Sequence, residues 1–251
     1  MLSKNKIKYI NSLKQKKYRD LHNCFVAEGS KIILDLLASG VEIELLVVNK
    51  QSVDKYTIPT TNIELFIVED ADIDKVTVLN SLPDSVAVFK KKSGKFCFER
   101  LEKELVLFLD SVQDPGNLGT IIRTADWFGI KAVCCSMTTA DVYNQKVIQA
   151  TMGAIGRVEV YYFDSNLFFN EIPSGAAIYG TFLEGENVYN LPLSHNGVIV
   201  MGNEGNGISE QTAKWVNSKL FIPHFPHDRK NSESLNVAMA TGIVLSEFRR
   251  R

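Results

Sequence analysis

The feature that most constrains this chain lies late in it, at residues 196–247. Gly197-Val198-Ile199-Val200-Met201-Gly202 is a short apolar, β-rich run that reads as a buried strand. Asn203-Glu204-Gly205-Asn206-Gly207-Ile208-Ser209 follows, too rich in glycine and asparagine for anything but a tight loop. Ser209 stands where a helix cap is needed, and Leu220-Phe221-Ile222-Pro223 is a second strand stopped by its proline. A polar loop over residues 224–233 then leads into a helix from Ser234 that is apolar almost all round. Such a series belongs to an open α/β sheet. Ligands of these sheets gather at the strand ends, where glycine lets the backbone approach them closely.

The same alternation is present upstream. Strands are predicted at residues 105–109, 132–135, 158–162 and 177–181, with helices near 117–128 and 145–155, which makes a doubly wound, parallel-sheet domain. No Gly-x-Gly-x-x-Gly follows the first strand of the series; the glycine-rich loop comes at the end instead. Ahead of this domain, a helix over 4–22, strands at 25–29, 44–48, 65–68 and 85–89, and helices at 30–37 and 70–80 compose a small α/β unit of their own. We place the two domains at 1–95 and 104–251, with the charged stretch 90–103 as the linker.

Lys+Arg number 28 against 29 Asp+Glu, a formal net charge of -1, so any nucleic-acid contact must come from a local patch. One candidate is the set Lys4, Lys6, Lys8, Lys14, Lys16, Lys17 and Arg19, which has no acid among its members. Such a run is either a solvated face or a phosphate contact, and both readings stay open here. Lys90-Lys91-Lys92 with Lys95, and Arg249-Arg250-Arg251, are two further clusters. Cys24, Cys97, Cys134 and Cys135 show no Cys-x-x-Cys spacing, so neither disulfides nor zinc are expected. His224 and His227 have no further ligands near them in sequence, and no metal is assigned. The N-terminus lacks an apolar signal core and no run is long enough to span a membrane, so a cytoplasmic protein is expected.

The stretch Asp114-Pro115-Gly116-Asn117-Leu118-Gly119-Thr120-Ile121-Ile122-Arg123-Thr124-Ala125 completes the set of motifs. Taken singly, Asn117 and Ser234 read as helix caps, Arg123 and Glu204 as exposed charges, and Thr181, Ile222 and Leu235 as ordinary packing. Taken together, the three stretches lie in one order, each at a strand-to-loop junction. In that arrangement they resemble the SpoU (TrmH-like) RNA ribose methyltransferases of the SPOUT superfamily. Phe25-Val26-Ala27-Glu28-Gly29 and the apolar helix after it resemble the small ribosomal-protein-like substrate-binding domain that precedes many members.

The resemblance implies a knotted parallel-sheet domain, its C-terminal segment threaded as a trefoil knot, a rare exception to unknotted connections. It implies S-adenosyl-L-methionine as cofactor, a homodimer with the last helix at its interface, and structured RNA as substrate. Ribosomal RNA is favoured over transfer RNA because a full N-terminal domain is present. Asn117 and Arg123 fall on the residues that position ribose and phosphate and assist removal of the 2′-hydroxyl proton. Glu204 falls on an acid near the reacting centre, and Ser234 with Asn236 on a pair that shapes the site. For the cofactor, the resemblance implies backbone approach at Gly202 and Gly207. It also implies main-chain contact with adenine at Ile222 and Leu235, and Thr181 in a loop that closes over it. The polar loop 224–233 is longer than the family pattern. Two rival readings are a transfer-RNA 2′-O-methyltransferase and a non-catalytic RNA-binding module of the same fold. The intact set Asn117, Arg123, Glu204, Ser234 and Asn236 argues against the second.

Overall fold

The computed structural model describes residues 1–56, 63–226 and 234–250. They form two compact units, Met1–Ser93 with Asp141–Arg157, and Gly94–Ala140 with Val158–Arg251.

The first unit opens with α1 (Lys4–Ser12) and α2 (Lys16–His22) in place of the single helix expected over 4–22. The break has a physical cause: the carbonyls of Leu13 and Lys14 accept from the Arg19 guanidinium, at 2.9 Å each, instead of from amides one turn on. Then come β1 (Cys24–Glu28), α3 (Ser30–Ala38), β2 (Ile43–Asn49), β3 (Glu64–Val68), α4 (Asp70–Ile73) and β4 (Ser85–Lys90). The sheet runs β1-β4-β2-β3, antiparallel except for the parallel pair β2–β3. Alternate residues Val26, Leu45, Val47, Val86 and Val88 pack on Ile10, Leu13, Ile73 and Val76. On the opposite side Phe25 stacks on Phe89 and meets Tyr143 of the later segment, whose helix is Gln145–Thr151. The helix expected over 70–80 stops at Ile73, because the buried Glu28 carboxylate takes the Thr77 hydroxyl and the Val78 N–H into its own hydrogen bonds.

The basic clusters are partly spoken for within this unit. Arg19 is buried and paired with Asp141 at 2.5 Å, and Lys6 is paired with Glu64 at 2.5 Å. Lys90 meets Glu44, and Lys91 meets Asp20. Lys4, Lys8, Lys16 and Lys17 are exposed.

In the second unit β5 (Leu105–Leu109) leads to α5 (Pro115–Trp127) and β6 (Ala132–Ser136). With Gln145–Thr151 counted as α6, there follow β7 (Glu159–Phe163), α7 (Ser165–Asn170), β8 (Ile178–Asn187), β9 (Gly197–Met201), α8 (Glu210–Ala213), β10 (Ser218–Phe221) and α9 (Val237–Arg250). The six strands are all parallel, in the order β10-β8-β9-β5-β6-β7. Strands β5, β6 and β9 are buried along their whole length, as their unbroken apolar runs require of a sheet covered on both faces.

The boundary between the two units, Ser93 to Gly94, falls within the stretch 90–103, and residues on either side of it are packed into their own unit. Lys90 ends β4, while Phe96 and Phe98 pack with Phe163 and Phe168 and Leu101 is fully buried. Helix α7, too short to announce itself by periodicity, supplies Phe168 to that cluster and stacks it on Phe108 at 4.7 Å.

Strand order reverses where β5 lies beside β9, with Leu109 level with Met201. The carboxyl ends of these two strands are the switch point of the sheet, the place where open α/β sheets form their crevice. Helices α5 and α9 pack together and run the same way. Asn236 at the start of α9 reaches Asn117 at the start of α5, and Arg249 near its end donates to the Phe128 carbonyl. Pairing of β10 with β8 jumps from Lys219–Gly180 to Leu220–Glu186, so residues 181–185 bow out of the ladder. Thr181, the last residue of the strand expected at 177–181, lies in β8 at the start of this excursion, which is the loop-like stretch there.

Candidate active site

The two strands at the switch point bring two loops together. The Asp110 N–H extends the ladder to the Met201 carbonyl at 2.9 Å, and the Asp110 carboxylate accepts from the Ser209 N–H at 2.9 Å. Both ends of the glycine-rich loop are thereby tied to the end of β5. Farther along, Asp114 caps α5, its carboxylate accepting from the Asn117 N–H at 2.7 Å, and Pro115 takes the first helical position. Asn117 is therefore not the cap, and its side-chain amide is free for other partners.

The glycine loop closes on itself. Asn203 and Gly207 exchange backbone hydrogen bonds at 2.8 and 3.0 Å. The Asn203 side-chain oxygen accepts from the N–H groups of Gly205 and Asn206, and its amide nitrogen donates to the Ser111 carbonyl at 2.7 Å. Gly207 has φ +69°, a conformation open to glycine at little cost. A Cβ on Gly202 would lie 2.2 Å from the Gly207 carbonyl carbon and 2.3 Å from the Ile208 nitrogen. The loop's own closure requires glycine there, a reason that stands beside the expected ligand approach.

Glu204 projects from this loop to the start of α5. Its carboxylate accepts from the Gln113 and Asp114 N–H groups at 3.4 and 3.2 Å and from Asn117 Nδ2 at 3.0 Å. Asn117 Oδ1 in turn accepts from Asn236 Nδ2 at 2.9 Å. Asn236 Oδ1 receives the N–H groups of Ala238 and Met239 at 3.0 and 3.3 Å, so Asn236 caps α9 and Ser234 does not. Three residues from three separated stretches form one continuous chain of hydrogen bonds.

Other candidates stand around this trio rather than within it. Thr181, where β8 leaves its ladder, and Gly202, just past β9, lie at the same carboxyl edge of the sheet, and Ile222 follows the end of β10 on that edge. Leu235 is half exposed beside Asn236. Ser234 is exposed. Arg123 is exposed on α5, roughly 9 Å of helix rise beyond Asn117, and among the described residues no hydrogen bond or ion pair engages it. Among the described residues no group of three or more His, Cys, Asp and Glu side chains is set to hold a metal ion; His227 lies outside them.

Sequence reasoning passed over Asp110, Asp114 and Asn203. An Asp-Pro pair opening a helix is itself a cap signal and was available for Asp114. Nothing local marks Asp110, whose partner Ser209 is 99 residues away, or the bond that Asn203 makes to Ser111, 92 residues away.

Residues 104–246 match the model of the SpoU rRNA Methylase family, and residues 4–87 that of the MRM3-like substrate binding domain. The chain is 32% identical over 250 residues to the 23S rRNA (guanosine(2553)-2'-O)-methyltransferase RlmP of Bacillus subtilis (strain 168), covering 97% of this chain and 96% of that protein. Among solved structures it is similar to a putative RNA methyltransferase of the TrmH family from Porphyromonas gingivalis, with TM-score 0.89 and 36% identity over 100% of this chain and 99% of that one. An AdoMet-bound rRNA methyltransferase from Sinorhizobium meliloti aligns with TM-score 0.85 and 30% identity over 100% and 96% of the two chains. A family model spanning more than half of the residues, and a relative aligned along nearly all of them, establish that this chain belongs to the SpoU rRNA methylase family.

Proposed function

We propose that this protein transfers a methyl group from S-adenosyl-L-methionine to a ribose 2′-hydroxyl of ribosomal RNA. We further propose that it does so in the cytoplasm, as a homodimer whose C-terminal segment is threaded in the family's trefoil knot. The observation that carries the reading is the meeting of Asn117, Glu204 and Asn236 at the switch point of a parallel sheet. When bound, the cofactor supplies an electrophilic methyl on a sulfonium. The residues present suit it: Thr181, Gly202 and Ile222 on one edge of the sheet, open space over Gly207, and the half-exposed Leu235 next to Asn236. Pocket walls of this kind are apolar with a few backbone polar groups.

The chain's own work is alignment. Rigid strand ends fix the two loops, and the hydrogen-bonded trio fixes the side chains that meet the ribose. Arg123 offers five donors in a planar fork, which suits a phosphate or a developing alkoxide; while charged it has no lone pair with which to take a proton. Two features favour a homodimer: exposed apolar side chains at Leu235 and Met239, and a groove lined by Thr120, Thr124, Tyr189 and Ile243 along α5 and α9. No helix of the described residues is long and apolar enough to cross a membrane.

Ribosomal RNA is favoured over transfer RNA because the likeness to RlmP runs through the N-terminal unit as well as the methyltransferase unit. The test is a map of 2′-O-methyl groups in ribosomal RNA from cells with and without this protein. One 23S nucleotide should lose its methyl group, and the position equivalent to the RlmP guanosine is the first to inspect. Identical ribosomal maps with a changed transfer-RNA map would transfer the assignment to the rival substrate.

A further inference from the structure

Each oxygen of the Glu204 carboxylate faces two donors. Oε1 accepts from the Asp114 N–H and from Asn117 Nδ2, while Oε2 accepts from the Gln113 N–H and from Asn203 Nδ2 at 3.4 Å. A protonated carboxyl carries a hydrogen on one oxygen and would set it against two N–H groups, whichever oxygen held it. An amide in its place would do the same with its nitrogen. Four N–H donors on two oxygens suit a carboxylate better than an amide of the same shape.

From this end the polarity of the whole chain is forced. Asn117 turns its nitrogen to Glu204, which leaves Oδ1 for Asn236. At the far end the backbone N–H groups of Ala238 and Met239 can only donate, so Asn236 gives them its oxygen and shows its nitrogen to Asn117. One end of the chain only accepts and the other only donates, and neither amide between them can flip. Each Nδ2 keeps a second hydrogen beyond those bonds.

We infer that Glu204 is a positioning residue and not a proton acceptor: its carboxylate fixes the amide orientation of Asn117 from one side, while Asn236, set by the Ala238 and Met239 N–H groups, fixes it from the other, so that both amides present N–H donors to the reacting oxygen. The oxygen's identity as a ribose 2′-oxygen rests on the proposed function; the relay does not. Donors held in advance toward an oxygen that gains negative charge are worth more than donors that must first reorient.

The relay is tested without activity by recording the side-chain amide signals of Asn117 and Asn236 in the isotopically labelled full chain, wild type and Glu204→Gln. The Asn117 pair, which touches the carboxylate, should shift in the variant; an unchanged Asn117 pair would overturn the relay. Role is tested by single-turnover methyl transfer to ribosomal RNA from cells lacking the protein, across pH. Glu204→Gln should slow transfer by about 100-fold, the loss expected of a small misplacement, and by the same factor at every pH. If an acidic limb of the wild-type profile vanishes in the variant, Glu204 is the base and the inference fails; Asp110 and Asp114 on the facing loop and Arg123 on α5 are the other charged groups to weigh in that profile. The same substitution made in an Asn117→Ala background should cost less than about threefold, since residues acting through one another are not additive. Losses that multiply would show Glu204 acting on its own. A wild-type chain that transfers no methyl group would sink the functional reading while leaving the amide spectra to judge the relay.

Discussion

Gly202 lies against Gly207: the carbonyl carbon of Gly207 sits 2.2 Å from where a Cβ on Gly202 would be, closer than any side chain can stand. The two glycines are the neck of the loop that carries Glu204. Gly202→Val should therefore lower the thermal midpoint and abolish S-adenosylmethionine binding together, at a cost above about 3 kcal/mol, since backbone and not a flexible side chain must give way. Gly207→Ala meets no atom within 4 Å and pays only for its positive φ, roughly 1 kcal/mol. A Gly202 variant with wild-type melting and lost binding would make direct ligand contact, and not loop closure, the reason for glycine.

Asn236 both caps α9 and orients Asn117, and the two duties can be separated. Asn236→Ala should lose about 1 kcal/mol of stability with the cap, together with most methyl transfer. Asn236→Asp keeps an acceptor for the Ala238 and Met239 N–H groups but faces Asn117 Oδ1 with a second oxygen. It should melt like wild type and transfer slowly. Equal activity of the Asp variant and wild type would remove the Asn117 contact from the mechanism.

Arg123 is exposed and unengaged among the described residues, so its substitutions should leave folding alone. Arg123→Ala should retain cofactor affinity by titration calorimetry and lose nearly all single-turnover transfer. Arg123→Lys should keep a measurable fraction if charge toward phosphate or alkoxide is what counts, although the bidentate fork is gone. An alanine variant as fast as wild type ends the assignment.

The N-terminal cations divide into two kinds. Arg19 is 3% exposed and paired with Asp141, so Arg19→Ala should cost about 3–5 kcal/mol by leaving a partner charge unmatched. Reversing Lys4, Lys8, Lys16 and Lys17 to Glu should hardly change stability, but should weaken RNA binding and flatten its dependence on salt. A salt slope unchanged by reversal identifies the cluster as a solvated face.

Asp84 carries a pH signature. Partial burial raises its pKa, but the Lys55 ammonium at 2.8 Å, the Ser85 hydroxyl and the Ser30 N–H outweigh that and hold it down at about 2. A carboxyl lowered on folding contributes above its unfolded value near 4, and that contribution is lost as pH falls from about 4 through about 2. Asp84→Asn should melt lower than wild type at pH 7 and lose less on going to pH 2.5; parallel pH curves for the two proteins would contradict the pairing.

What the sequence made legible was local. Strand, glycine loop, cap and strand at residues 197–221 follow from neighbours in the chain, and the three motifs fell where the sheet turns out to have its switch point. What it hid was tertiary. Asn117 and Asn236 stand 119 residues apart and Arg19 and Asp141 stand 122 apart, so no window of residues marks either pair. The short α4 and the aromatic packing of residues 96–101 arise because a distant group takes over a local hydrogen bond or a local ring, and the break between α1 and α2 because Arg19, five and six residues on, takes the carbonyls of Lys14 and Leu13.

The segment Asp141–Arg157 belongs to the first unit although β5, α5 and β6 are synthesised before it. On the ribosome, then, β1 to β4 must wait for a piece of themselves that emerges some fifty residues late. Until it arrives, the side of the sheet that shows Phe25 and Phe89 lacks Tyr143 and the apolar side chains of α6, Val147 and Ile148. A nascent chain stalled between residues 94 and 140 would expose that surface to chaperones and proteases. Such a chain cannot shed its first unit as a finished product, nor can a fragment begun near residue 99 be a clean methyltransferase unit.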